Sequence, residues 1–379
     1  MVNSVPFFRP SVGDAEVDAV SKAMRSGWLT TGPNAAAFEK EFSDQFSGEV
    51  FSVAVNSATS GLHLGLEALG VGPGDEVIVP TLTFTATAEV VRYLGATPVF
   101  IDVEDNFCMG VSAAAAAVTD KTKVIMPVHF AGRSCDMTSL RQLADKHGLK
   151  ILADSAHALP TYHKGELIGG GLADINVFSF YANKTMTTGE GGMLTTRDPV
   201  IAKHVKMMRL HGIDRDVFNR FSDLKASWIY DVVAPGYKYN LTDMAAAMGR
   251  VQLSRCGEFF KARRAQFDRY NEALKDLPLI LAPEAAKDDV HSCHLYIIQL
   301  SEEAPLNRDE LITALKSRNI GTSVHYRPLH QMTYWSTIAK GEFPIADEYF
   351  KRCVSIPLFM AMKEEEQTYV ITALNDFLS

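Results

Sequence analysis

INVFSFYANKTMTTGEGG, residues 175 to 192, is the stretch on which the fold turns. It opens with an apolar run, Ile175 to Phe180, short enough for a strand. It closes in a glycine-rich turn, Gly189 to Gly192, and a second strand pattern, Gly192 to Thr196, follows. Between the two lies Lys184. Most lysines are solvated, but one set between an apolar run and a tight turn can be buried, and burial favours the neutral amine. A neutral amine can form a Schiff base with an aldehyde.

Working outward, similar runs recur at Ser52 to Val55, Glu76 to Val79, Thr97 to Val103, Lys123 to Phe130 and Lys150 to Asp154. Several are nearly continuous in Val and Ile, as in strands covered on both faces. Helical periods separate them. Leu62, Leu66 and Leu69 recur at four and three residues before the stop signal Gly70, and Asp136 or Thr138 can cap a helix carrying Leu140, Leu143 and Ala144. This alternation predicts an α/β layered domain with a mostly parallel sheet of seven strands. After Asn240 the pattern changes. Helical periods run from Thr242 to Leu277, a strand is expected at His294 to Leu300, a helix at Arg308 to Arg318, another strand at Gly321 to Tyr326, and a final helix carrying Tyr369, Val370, Ala373, Leu374, Phe377 and Leu378. The expected division is a large domain over 1–250 and a smaller α+β domain over 251–379.

Composition narrows the function. The 379 residues carry 45 acidic and 37 basic side chains, a net charge of −8, which argues against a general nucleic-acid binder. The five cysteines, Cys108, Cys135, Cys256, Cys293 and Cys353, are scattered, so neither a disulfide framework nor a cysteine-rich zinc site is expected, and the histidines lack the spacing of a metal site. No metal is expected. The N-terminus lacks a signal-peptide pattern, and no apolar run reaches the ~18–20 residues of a membrane span. A cytoplasmic location is the expectation.

Ligands of open α/β sheets gather at the carboxyl ends of strands. After Ser52 to Val55 comes NSATSG, Asn56 to Gly61, leading into a helix. This is either an ordinary cap at Ser57 or Thr59, or a phosphate cup built from small residues and a helix N-terminus. After Lys150 to Ala153 comes Asp154, costly to bury without a cation, and then His157. A phosphate cup, a strand-end carboxylate and a buried lysine together are what pyridoxal phosphate requires.

The chain resembles the DegT-type (DegT/StrS) pyridoxal-phosphate-dependent nucleotide-sugar aminotransferases, of fold type I, over nearly its whole length. The motifs are GWLTTGP (27–33), NSATSGLHL (56–64), DSAHA (154–158), SFYANKTMTTGEGG (179–192), RLHG (209–212), GYKYNLTD (236–243) and GTSVHY (321–326). Within the family it is most similar to the UDP-4-amino-4-deoxy-L-arabinose–oxoglutarate aminotransferases and related transaminases of UDP-4-amino sugars. Tyr181 stands where the family usually has His.

The resemblance implies Lys184 as the Schiff-base lysine and Asp154 as partner of the pyridine nitrogen. It implies Phe84 stacked on the ring, His157 near the ring's phenolic oxygen, Ala58, Thr59 and Ser179 on the phosphate, and Asn240 supplied to the neighbouring subunit of a homodimer with shared active sites. Thr30, His211 and His325 are implied on the sugar side. Arg209, Arg215 and Arg220 form a basic stretch, either a diphosphate contact or a solvated loop. The implied reaction moves the amino group of glutamate, through pyridoxal 5'-phosphate, onto a keto carbon of a nucleotide-linked sugar, leaving 2-oxoglutarate. Some relatives carry His in place of the lysine and dehydrate the sugar; Lys184 favours transamination. A non-catalytic regulator of the same fold is the other alternative.

Overall fold

The computed structural model describes residues 2–214 and 230–379. Seven strands make the main sheet: β1 (Phe51–Val55), β2 (Glu76–Pro80), β3 (Thr97–Ile101), β4 (Thr122–Ile125), β5 (Lys150–Asp154), β8 (Ile175–Ser179) and β9 (Gly192–Thr196). Their order is β1-β9-β8-β5-β4-β2-β3. β9 runs antiparallel to both its neighbours, and the remaining pairings are parallel. The two short strands β6 (Tyr162–His163) and β7 (Glu166–Leu167) form a separate hairpin. A second sheet joins β10 (Leu279–Ile280), β11 (Tyr296–Leu300) and β12 (Cys353–Ile356).

Helices cover the main sheet closely. In helix Ala58–Ala68, a Cβ on Gly61 would lie 2.7 Å from the Val177 side chain. The bare backbone there lets the helix settle onto β8. Val53, Ile78, Ile125, Ile151 and Val177 are fully buried between the layers, each contributing about 1.5–3 kcal/mol relative to exposure. A second core, around Phe267, Tyr270, Tyr296, Leu311 and Val370, backs the three-stranded sheet and takes in Val5 from the chain's start. A third packs Phe38, Phe42, Phe178 and Phe180 together.

Two expected strands fall short. The run Lys123 to Phe130 is strand only through Ile125. Pro127 has no N–H to continue the ladder, and Phe130–Gly132 turns as a short 3-10 segment. Gly321 to Tyr326 stays irregular, tied by one bridge from Ser323 to Ser355. The helical stretch after Asn240 is two helices, Asp243–Ser254 and Cys256–Leu274. β12 carried no recognised sequence signal. All five cysteines are free, and no described helix is long and apolar enough to cross a membrane.

The topology brings the site together. β1, β5 and β8 are mutually parallel in direction, so Ser57, Asp154 and Ser179 emerge at one sheet edge. Gly192 pairs with both Val55 and Ser179, stitching the reversed strand β9 into that edge.

Candidate active site

A cavity of about 390 Å³ opens at this edge. Its walls include Ser57, Ala58, Thr59, Phe84, Asp154, His157, Ser179, Lys184, His325 and Tyr326. The sequence-derived cofactor residues thus converge, apart from Asn240.

The cup comes from helix Ala58–Ala68. Ser57 is extended and its Oγ accepts from Ser60 N at 3.1 Å. The cap and the cup are therefore compatible: the cap takes one of the first helical donors, and the N–H groups of Ala58 and Thr59 have no intrahelical acceptor. They stand at the positive end of the helix dipole, suited to a phosphate. A Cβ on Gly192 would come within 2.8 Å of Ala58 N and 2.9 Å of Ser57 O. Only glycine lets β9 approach the cup so closely.

Asp154 ends β5 and is 6% exposed. Its Oδ1 accepts from Ala156 N at 3.1 Å and its Oδ2 from Thr87 Oγ1 at 2.9 Å. Burial pushes its pKa up, against those two hydrogen bonds and the charge of Lys184. No ion pair holds it among the described residues. A buried carboxylate with donors but no cation is arranged for a cation to arrive.

Lys184 is half-buried on the turn after β8, its N–H bonded to Tyr181 O. Removal from water lowers its pKa to about 8, with the Asp154 charge opposing. The amine is thus partly neutral near physiological pH. Phe84 is 57% exposed at the cavity, and its ring centroid lies 5.9 Å from that of Tyr326. Ser179 Oγ accepts from Tyr181 N at 3.3 Å.

His157 packs on His294, ring centroids 4.3 Å apart. His325 lines the cavity while its Nδ1 bonds Ser355 Oγ at 2.8 Å, so it is both a wall residue and a core histidine.

Other expected residues lie elsewhere in the chain. Thr30 and His211 are exposed and do not line the cavity. Asn240 lines a second cavity beside Thr31, whose Oγ1 accepts from its Nδ2 at 2.7 Å. Arg215 and Arg220 fall outside the described residues. Arg209 departs from both expectations for the basic stretch: it is buried, ion-paired with Glu39, and bonded to Ala54 O at 2.6 Å. It braces β1 against helix Pro33–Ser43. Among the described residues no group of three or more metal-ligating side chains exists.

Sequence reading missed Thr87, Tyr326 and Asn183. Thr87 was within reach, since PTLTFTATA carries a hydroxyl three residues past Phe84. Tyr326 was quoted only as the end of a motif. Asn183, with a buried unbonded Oδ1 on the cavity wall, carried no signal.

A mostly parallel seven-stranded sheet with a lysine and a buried carboxylate at its carboxyl edge defines the class. The chain belongs to the DegT/DnrJ/EryC1/StrS aminotransferase family, whose profile matches residues 10–375. It is 43% identical to the spore coat polysaccharide biosynthesis protein SpsC of Bacillus subtilis, over 99% of this chain and 97% of that one. Among solved structures it is similar to the sugar aminotransferase Spr1654 of Streptococcus pneumoniae in its PMP form, at 35% identity and a TM-score of 0.92, covering 99% of both chains. That protein is also known in PLP and apo forms. DesI, solved in the presence of its TDP-sugar product, is 29% identical with a TM-score of 0.87, over 99% of this chain and 93% of that one.

Proposed function

We propose that this chain is a pyridoxal-phosphate-dependent aminotransferase that moves the amino group of L-glutamate onto a keto carbon, at C4, of a nucleotide-linked sugar. The observation that carries the reading is the pairing, in one cavity, of Asp154, a buried carboxylate with no ion pair among the described residues, with Lys184, an amine lowered to about 8. The PLP and PMP forms of Spr1654 and the TDP-sugar product of DesI support the cofactor and substrate classes.

The donor set fits pyridoxal phosphate. Ala58 and Thr59 N–H groups, with Ser179 Oγ, receive the phosphate. Asp154 receives the protonated ring nitrogen, ending its isolation. Phe84 covers a ring face. When bound, the group supplies an aldehyde that exchanges for an amine and a ring that holds the electron pair of a broken C–H bond.

The chain's own residues do the rest. With the group bound, Lys184 Nζ would hold its aldehyde carbon until an incoming amine displaced it. The freed Nζ would take the proton from the amine-bearing carbon and deliver it to the former aldehyde carbon, on the other side of the nitrogen. Asp154 would keep the ring nitrogen protonated throughout. The same lysine serves the glutamate half and the sugar half, which makes the cycle ping-pong. Lys184 is the residue that favours amino transfer over sugar dehydration.

Asn240 is proposed to serve the site of the other copy in a homodimer, and Thr30, His211, Arg215 and His325 are proposed as contacts for the sugar substrate. The domain division proposed is 1–250 and 251–379. The test is a panel of UDP-, dTDP- and GDP-linked 4-keto sugars incubated with holoprotein and glutamate and read by mass. Replacement of the keto oxygen by an amine, with stoichiometric 2-oxoglutarate, supports the reading; loss of water from the sugar without amine gain overturns it.

A further inference from the structure

The loops after β3 and β4 meet at the carboxyl edge of the sheet, and each brings a cysteine. Cys108 and Cys135 are 1% and 0% exposed, both are free, and their thiols are in hydrogen-bonding contact. A buried cysteine is commonly inert packing. Two features set this pair apart. The first is Arg133, 5% exposed, whose Nε and Nη1 are buried without a hydrogen-bond partner. Burial lowers the pKa of this guanidinium, and the Cys108 thiolate is the strongest charge working the other way.

The second is that both thiols anchor one loop. Cys108 Sγ donates to Arg133 O at 3.9 Å, and Cys135 Sγ donates to Val128 O at 3.2 Å. The same loop, 127–135, holds the carboxylate of the cavity. Pro127 O accepts from Asp154 N at 2.8 Å, and His129 N donates to Asp154 O at 3.1 Å. Val128 lines the cavity, and Ala131 N donates to His157 Nδ1 at 3.3 Å. The Cys135 donor and the Arg133 charge hold the Cys108 thiol below its ordinary pKa, against burial and Glu104. The contact with Cys108, and then burial, push the Cys135 thiol up. Cys108 is thus the nucleophile of the two and Cys135 the resolving thiol.

We propose that Cys108 and Cys135 are a peroxide-sensitive pair that closes to a disulfide and, in closing, loosens loop 127–135 around Asp154. The Cys108 thiolate attacks one oxygen of hydrogen peroxide, breaking the O–O bond and releasing hydroxide. The Cys135 sulfur then attacks the sulfur of the Cys108 sulfenic acid, and its proton leaves with the OH group as water. The two thiols lose two electrons and two protons, and the peroxide becomes two waters. The sulfurs draw in to the ~2.05 Å of a bond. Neither keeps a proton, so Arg133 O and Val128 O both lose their thiol donors.

The experiment treats holoprotein with hydrogen peroxide, denatures it in an alkylating reagent and maps the peptides. A peptide linking Cys108 to Cys135, released by dithiothreitol, is expected, with Cys256, Cys293 and Cys353 alkylated. Cys135→Ser should leave Cys108 as a sulfenic acid that dimedone traps. Arg133→Met should slow disulfide formation at neutral pH about tenfold, one unit of thiol pKa, and by less in alkali, where the thiolate forms unaided. The loosening rests on the proposed cofactor. Oxidised protein should bind pyridoxal phosphate about tenfold more weakly, and dithiothreitol, which leaves methionine sulfoxide in place, should restore the affinity. Cys108 and Cys135 still alkylated after peroxide, or an Arg133→Met rate equal to wild type, overturns the pair. A mapped disulfide with unchanged affinity overturns the loosening. Reduced protein that fails to bind pyridoxal phosphate overturns the cofactor reading and the loosening with it, while the mapped peptide still decides the pair.

Discussion

Thr87 Oγ1 donates to Asp154 Oδ2 at 2.9 Å, and because its proton is committed there, Thr83 Oγ1, 2.8 Å away, donates to Thr87 in turn. Both threonines are buried. The relay stabilises a carboxylate that burial opposes, and it does so from the first turn of helix Ala86–Tyr93, just past Phe84. The segment after β2 thus serves the cavity twice, with Phe84 as wall and with Thr87 on the carboxylate.

Thr87→Val removes this donor at nearly constant volume. A hydrogen bond to a charged group contributes about 1.5–3 kcal/mol, so apoprotein at neutral pH should lose stability of that order. The sign follows from the raised Asp154 pKa. A carboxyl whose folded pKa lies above its unfolded value costs stability as pH rises through that interval. The variant raises the folded value further and steepens the fall. Thermal unfolding of apoprotein from about pH 4 to about pH 7 measures it. Parallel curves for variant and wild type would refute the relay.

Lys184 sets the pH dependence of cofactor capture. Its amine is nucleophilic only when neutral, and its pKa is about 8. The rate of pyridoxal phosphate uptake, followed by growth of visible absorbance, should rise about tenfold per pH unit below that point and level above it. Asp154→Asn removes the charge that opposes the lowering, so the plateau should begin at lower pH. Borohydride reduction followed by peptide mapping should mark Lys184, and Lys184→Ala should abolish both half-reactions.

Gly192→Ala tests the approach of β9 to the cup. The new methyl would meet backbone atoms of Ser57 and Ala58 at 2.8–2.9 Å, which no rotamer change relieves. A cost of about 1–3 kcal/mol and weaker phosphate retention are expected. Gly72, with no atom within 4 Å of an added Cβ, is the control and should tolerate alanine. Isothermal titration of apoprotein with pyridoxal phosphate separates the two.

Much of this architecture was legible because its chemistry sits at strand ends. Asp154 closes β5, and Lys184 follows β8 in a run whose apolar start and glycine end announce strand and turn. Such signals are local. Thr87 and Tyr326 were less legible because their roles depend on partners 67 and 169 residues away, Asp154 and His157, which only the folded chain brings near. Arg209 was misread for the opposite reason. Its neighbours in sequence made it look like part of an exposed basic run, whereas its partner Glu39 lies 170 residues away and draws it inside. The expected strand at Gly321 to Tyr326 failed because apolar patterning does not reveal whether a neighbouring strand is available. Among the described residues it is tied by single contacts, Ser323 to Ser355 of β12 and Gly321 N–H to Val5 O, and not by a ladder.

Arg209→Met separates that buried role from a substrate contact. Glu39 Oε1 also accepts from Ala54 N at 3.0 Å, and Lys206 reaches Oε2 at 3.4 Å, so the carboxylate is not wholly abandoned when the guanidinium goes. Breaking a buried pair by removing one partner costs about 3–5 kcal/mol, and Lys206 should hold the loss near the lower end. The melting temperature should fall by several degrees, while KM for the nucleotide-sugar and kcat per folded molecule stay at wild-type values. The double variant Glu39→Leu with Arg209→Met removes both charges and should recover part of the loss. An unchanged melting temperature combined with a tenfold higher KM would instead return Arg209 to the substrate.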